Sequence, residues 1–225
     1  MLSIGDRMKQ YYEDRYRIKL TRRTPVIVRV DGKSFHTLTK KYNKPFDATF
    51  VDAMYITGEY LLKNTQGAKV AYIQSDEISL LITDFDELNT HGVFDYNVQK
   101  IVSIISSMAS VQLSSILLTE AIFDGRVFNI PKEDVYNYFL WRQQDWTRNS
   151  IQMLAQSLYS HKELHKKNSS DLQEMCFAKG YNWNDLTGNL KNGIFISKED
   201  GYYPGKIQNN KNYIERYLYE EESKR

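Results

Sequence analysis

Cysteine is nearly absent from this chain. Cys176 is the single one among 225 residues, so neither an intrachain disulfide nor a multi-cysteine metal site can form. That scarcity is compatible with a reducing compartment. Charge of one sign is also lacking: 30 Lys and Arg stand against 28 Asp and Glu, a formal net charge of +2. Bulk charge therefore neither demands nor excludes nucleic acid, and any phosphate-binding surface has to come from local clustering. A secretory signal is missing, because residues 1–20 carry Asp6, Arg7, Lys9, Glu13, Asp14, Arg15, Arg17 and Lys19 where an apolar core would be needed. The most apolar stretch, residues 101–118, is interrupted by six serines and Gln112, which predicts a buried helix rather than a membrane span. The expected location is cytoplasmic, with no membrane partner. Low-complexity linkers and internal repeats are absent as well. What remains is an ordinary globular composition, 41% hydrophobic and 26% charged, in a chain long enough to bury a core without staples.

Periodicity supplies the elements. Residues 3–20 read as a charged helix capped by Ser3. PVIVRV at 25–30 is a β-branched run and reads as a strand, broken by Asp31-Gly32. Residues 47–64 have helical spacing, with Asp47 as cap and Phe50, Met54, Leu61 and Leu62 toward a core, and Gly67 closes them. Residues 69–74 and 78–83 form a hairpin around Ser75-Asp76-Glu77. A long helix over 97–120 and a strand over 121–130 follow. The order strand–helix–strand–strand–helix–strand predicts an α+β protein with a ferredoxin-like, split βαβ antiparallel sheet. Beyond Pro131 the chain reads as mainly helical to about residue 159, with another helix over 170–179. These readings place a catalytic core at 1–130 and a mainly helical extension at 131–225, and the closing EEESKR leaves room for a longer native chain.

Acidic residues at strand ends carry the chemistry. Asp31 ends VIVRVDG, and Asp76-Glu77 sit at the hairpin tip. A split βαβ sheet can place the first strand beside that hairpin, so the carboxylates converge as a two-metal site requires. Magnesium suits few carboxylates completed by water and phosphate. Acids in DG and SDE turns are more often mere turn acids, so spacing alone favours the metal only about one time in three. The turn Gly32-Lys33-Ser34-Phe35 offers backbone N–H groups to a triphosphate, with Lys33 and Lys44 adding charge. It lacks the GxxxxGK[ST] of a P-loop, and a plain strand-to-helix turn explains it equally well.

Five motifs in order are more specific. RVDGKSFH at 29–36, Lys44-Pro45, QSDEISL at 74–80, FDGRVF at 123–128 and WRQQD at 141–145 resemble the catalytic core of the tRNA-His guanylyltransferase family. The resemblance implies a polymerase palm acting as a magnesium-dependent nucleotidyltransferase in the 3′–5′ direction. Asp31 and Asp76 would hold two Mg2+ ions with the Gly32 carbonyl, flanked by Ser75 and Glu77, the latter counted among the catalytic acids. The backbone of Gly32, Lys33, Ser34, Phe35 and His36 would cradle a nucleotide triphosphate, with Lys44 near its phosphates and Lys100 at a second triphosphate. ATP would activate the 5′ end of a tRNA, and GTP or another NTP would be added. A homo-tetramer is implied too.

Two departures narrow the resemblance. The strict tRNA-His enzymes carry HINN after the WRQ motif, whereas this chain has Thr147-Arg148-Asn149-Ser150. That points to the template-dependent relatives that repair or edit tRNA 5′ ends. Asn97 stands where the strict enzymes have an arginine. Arg142, Arg148, Asn149, Lys162, Lys166 and Lys167 are expected to meet RNA. Trp141 and Trp146 could stack on bases but are expected in the core. His161 and His165 have i, i+4 spacing without a third ligand, which favours a solvated or RNA-facing helix over a metal. Two other readings remain: a nucleotide cyclase on the same sheet, disfavoured by SDEIS in place of GG(D/E)EF, and a silent RNA-binding palm, disfavoured by the presence of both Asp31 and Asp76.

Overall fold

The computed structural model describes residues 1–219, and the tail at 220–225 lies outside them. In chain order the elements are α1 (Ile4–Met8), β1 (Val26–Gly32), α2 (Phe35–Leu38), α3 (Ala48–Asn64), β2 (Ala68–Gln74), β3 (Glu77–Ile82), α4 (Val98–Leu117), β4 (Phe123–Asn129) and α5 (Lys132–Leu158). Then come α6 (His161–Leu164), α7 (Ser169–Ala178), α8 (Gly188–Asn192), β5 (Ile194–Ser197), β6 (Gly201–Tyr203) and α9 (Asn212–Glu215). The strands form one antiparallel sheet in the order β4-β1-β3-β2-β5-β6. Its first four members are the ferredoxin-like core that the element order predicts.

Strand parity decides which side chains meet which helices, because successive residues point to opposite faces. Val26, Val28 and Val30 of β1, with Ile78, Leu80 and Ile82 of β3, share one core with α3 and α4. Helix α3 earns its place there by spacing. Phe50, Ala53, Met54, Thr57, Gly58, Leu61 and Leu62 are its buried residues, a stripe at i, i+3, i+4 and i+7 intervals. Each fully buried leucine contributes about 1.5–3 kcal/mol. Asp47 caps the helix by accepting from the Phe50 amide at 3.2 Å, an interaction of about 1 kcal/mol. Gly58 lets the helix approach β2, since a Cβ there would lie 2.6 Å from Ile73 Cγ1. Helix α4 is long and apolar enough to cross a membrane. Here Ile101, Ile105, Ala109 and Leu113 bury its apolar stripe against the sheet.

The opposite face belongs to the chain beyond Pro131. Ile27, Val70, Tyr72 and Leu81 pack with Val135, Tyr138 and Phe139 of α5 and with Phe195, Tyr213 and Ile214. Several aromatic rings there meet edge-on, as Tyr72 does with Phe139 at 6.4 Å. A satellite core joins the end of α5 to α7, where Trp183 Nε1 donates to Ser150 Oγ at 3.0 Å.

Several expectations change. Asp31-Gly32 do not break the first strand but complete it, because the ladder with β4 continues to Gly32↔Phe123. The first helix is short: Ser3 does cap it, but α-helical bonding stops at Met8 and gives way to a π turn and a 3-10 turn with no buried residue. Its apolar residues are exposed, so packing gives the helix no support. β5 and β6 were not foreseen in the extension. IFIS is a four-residue strand buried on both faces, and so short an apolar run carries no diagnostic period.

Candidate active site at the tip of the β2–β3 hairpin

The same parity that builds the second core leaves a polar patch at one end of it. Arg29 and Asp31 of β1, Glu77 and Ser79 of β3, and Gln74 of β2 alternate with the residues that face α3 and α4. Antiparallel register sets Asp31 opposite Glu77, one residue from Asp76, and the Gly32 amide donates to the Asp76 carbonyl at 3.0 Å. The first strand and the hairpin tip thus meet as the sequence predicts. Ser75 makes the turn in the left-handed region, at φ 47°, a strained choice for a non-glycine residue.

Electrostatics marks the same spot. The Asp31 carboxyl is held above its ordinary value by burial first, then by Asp76, Glu77 and Asp124, against a smaller pull from Arg29. Asp76 is likewise raised by burial and by Glu77, which outweigh its own amide and the Ser75 hydroxyl. Both carboxylates are therefore short of compensating positive charge. Such a pair fits a divalent cation, which relieves the repulsion that raises them. No group of three His, Cys, Asp or Glu poised for a metal occurs among the described residues. Magnesium needs fewer, since water and phosphate complete its shell.

Two cavities open here. A cleft of about 470 Å³ is lined by Asp31, Ser75, Asp76 and, from α5, Asn149, Gln152 and Gln156. Beside it lies an apolar pocket walled by Tyr42, Phe46, Phe50, Ile73 and Ile194, with Lys44 among its lining. Gln74, Ser75, Trp146 and Met153 border both. Gln74 Nε2 donates to Glu77 at 3.1 Å, which leaves its Oε1 buried without a partner, as is Trp146 Nε1.

The structure distributes the expected site residues unevenly. Asp31, Gly32, Ser75 and Asp76 meet, and Lys44 borders the adjoining pocket. Two amides expected to cradle a triphosphate are already engaged, Gly32 with Asp76 and Lys33 with the Ile122 carbonyl at 2.8 Å. Phe35 is buried between Phe50 and Phe123, so it acts from beneath the turn. The Lys33 and Ser34 side chains line a different cavity together with Lys41 and Thr119, while His36 is exposed. Lys100 lies well away. Ser110, ten residues along α4, accepts from the Phe123 amide beside Gly32, which puts Lys100 roughly 15 Å along the helix axis toward the other end of the sheet.

Arg142 corrects an expectation. It is not an exposed surface charge: it is only 7% exposed, bonded to Glu77 through two nitrogens. The signal was present in sequence: Val135, Tyr138, Phe139, Arg142 and Trp146 form one helical stripe, so Arg142 sits on the apolar face of α5. Trp146 is core as expected, whereas Trp141 is 49% exposed with the Arg142 guanidinium 4.5 Å from its ring. Arg148 is exposed and paired with Asp145 at 2.7 Å. Lys162, Lys166 and Lys167 are exposed around α6. His161 begins α6 but His165 has left the helix, so the two do not share a helical face.

A ferredoxin-like antiparallel sheet with two aspartates meeting at adjoining strand ends is the frame of a palm-type fold. Comparison with known proteins agrees. Residues 5–131 match the family model described as tRNAHis guanylyltransferase. A curated protein of Acanthamoeba polyphaga mimivirus is 30% identical, with 87% of this chain and 77% of that protein covered. A solved bacterial tRNA(His) guanylyltransferase-like protein in complex with ATP superposes with a TM-score of 0.92 at 46% identity, covering 96% of this chain and all of the other. A second bacterial structure of that kind, in complex with GTP, gives 0.86 at 43%, with 97% and 100% covered. The chain belongs to the tRNAHis guanylyltransferase family and is a nucleotidyltransferase.

Proposed function

We propose that the protein extends the 5′ ends of tRNA by template-dependent 3′–5′ nucleotidyl transfer, using ATP to activate the end and GTP or another NTP as the added unit. The observation that carries this reading is the meeting of Asp31 and Asp76, both raised by burial and negative neighbours, at the mouth of a nucleotide-sized cleft. Asp31 and Asp76, with the Gly32 carbonyl, would hold two magnesium ions, whose charge offsets that developing on the phosphates. The apolar pocket suits a nucleobase. Lys44 at its rim suits the phosphates, and the unpartnered Gln74 Oε1 and Trp146 Nε1 suit a polar ligand at the threshold.

The chemistry runs in two displacements. An oxygen of the tRNA 5′-monophosphate attacks the α-phosphorus of ATP, and pyrophosphate leaves. The 3′-hydroxyl of the incoming nucleotide then attacks the activated 5′ phosphorus, and AMP leaves with the bonding pair. No protein nucleophile is needed. Asp31 and Asp76 act by placing charge, and Asn149, Gln152 and Gln156 offer neutral donors along the path of the RNA end.

Thr147 in place of the strict enzymes' histidine supports repair or editing of 5′ ends over anticodon-dependent maturation of tRNA-His. The bacterial relatives bound to ATP and to GTP support both nucleotides as ligands. Leu2, Ile4, Met8, Tyr12, Tyr16 and Ile18 are exposed along the N-terminal arm, which supports assembly into a tetramer, measurable by light scattering. The lone Cys176 is compatible with action in the cytoplasm. The direct test supplies a 5′-truncated tRNA with ATP, the four NTPs and magnesium. Lengthening that follows the opposing strand is the expected result, and no lengthening, or addition that ignores the template, refutes the reading.

A further inference from the structure

Glu77 follows Asp76 directly, yet its carboxylate is already spent. Arg142 donates from Nε to Oε1 at 2.8 Å and from Nη2 to Oε2 at 2.7 Å, and Gln74 Nε2 adds a third bond to Oε1 at 3.1 Å. Glu77 is 6% exposed and Arg142 7%. A metal ligand needs lone pairs aimed at the cation, whereas those of Glu77 are aimed at a guanidinium that stays protonated at any working pH. We infer that Glu77 is a positioning residue that touches neither metal nor substrate: its forked pair with Arg142 latches α5 onto the start of β3 and so fixes Asp76.

Four features point the same way. Glu77 stands opposite Asp31 in the ladder, so the latch anchors the sheet where the two aspartates meet. The turn it steadies is strained at Ser75, and a strained turn keeps its geometry only when its surroundings hold it. On the helix side, Arg142 Nη2 also donates to Asp145 Oδ2 at 3.1 Å, which orients the fork from within α5. The Ser79 hydroxyl extends the network to the Tyr138 hydroxyl at 2.8 Å.

The inference rests on the proposed two-aspartate metal site, so its test separates the two. Manganese binding is read by electron paramagnetic resonance in the presence of a non-hydrolysable ATP analogue, with thermal unfolding measured alongside. Asp76→Asn is the control for the metal site. Undiminished manganese binding in that variant refutes the metal reading itself. Arg142→Met breaks the latch without touching any cation ligand, and the expected loss of manganese affinity is about tenfold, as for residues that orient a metal's ligands. Because Arg142→Met strands a buried carboxylate and can impair folding, Arg142→Lys keeps the charge but not the fork. It is expected to melt near the wild type and to bind manganese roughly threefold more weakly. Glu77→Gln should match Arg142→Met, and the double variant should lose no more than either single one, since a coupled pair is lost once. If Arg142→Lys folds and binds manganese as the wild type does while Glu77→Gln does not, Glu77 is itself a metal ligand and the inference is overturned.

Discussion

Replacing Gly32 by alanine tests how tightly the turn after β1 is built. A Cβ at this position would lie 2.4 Å from Phe35 Cγ and 2.5 Å from Cδ2. Ordinary contact begins near 3.4 Å, so the ring must retreat by about 3.4 − 2.4 = 1.0 Å. It has nowhere to go. Phe35 is 3% exposed and held edge-on by Phe123 at 5.1 Å and Phe50 at 6.2 Å. Overpacking of this kind costs about 1–3 kcal/mol. For a chain of this size that corresponds to a fall in Tm of roughly 2–12 °C. Because Phe35 opens α2, the displacement also moves the Ser34–His36 segment, and shifts of about 1 Å at a positioning element can cost 100-fold in rate. Thermal unfolding and single-turnover nucleotide addition read the two effects. Phe35→Leu in the same chain should return part of the lost Tm by vacating the space. A Gly32→Ala protein that melts within about 1 °C of the wild type and adds nucleotides at its rate would show that the ring is not confined as described.

Further expectations concern charge and specificity. Asp31 and Asp76 have raised folded pKa values, so the folded state gains most at low pH and loses that gain as pH rises through the folded values. Above those folded values the ionised pair costs stability, and Asp76→Asn should raise the Tm of the metal-free protein while abolishing nucleotide addition. Magnesium at 100 times its Kd should stabilise the wild type by about 2.7 kcal/mol, or roughly 5–11 °C. That shift should fade as pH falls into the carboxylate range and protons compete, and persistence of the full shift there would contradict the assignment. With Thr147 where the strict enzymes have histidine, exchanging the GUG anticodon of the substrate should change the rate of addition less than about threefold, since no base-specific pair is then lost.

Much of the palm was legible because its signals are local. The β-branched run before Asp31, the Asp47 cap and the helical stripe of Phe50 to Leu62 each specify their element without help from elsewhere. Convergence of Asp31 and Asp76 followed from topology plus those positions. What stayed hidden depends on tertiary placement. The Lys33 amide reads as a free donor for a phosphate in the sequence, and only the fold reveals its bond to the Ile122 carbonyl, 89 residues away (122 − 33). Arg142 looked like a surface charge because arginine usually is one, although its position in the α5 stripe pointed inward. The strand Ile194–Ser197 is recruited by β2 across the sheet, and four residues carry too little pattern to announce that.

The most direct measurement is a crystal of the protein with manganese and a non-hydrolysable ATP analogue, recorded at the manganese absorption edge. Anomalous peaks between the Asp31 and Asp76 carboxylates and the triphosphate, with the adenine in the pocket bounded by Phe46, Phe50 and Trp146, are the expected result. Peaks bound elsewhere, or a triphosphate that leaves both aspartates in solvent, would contradict it.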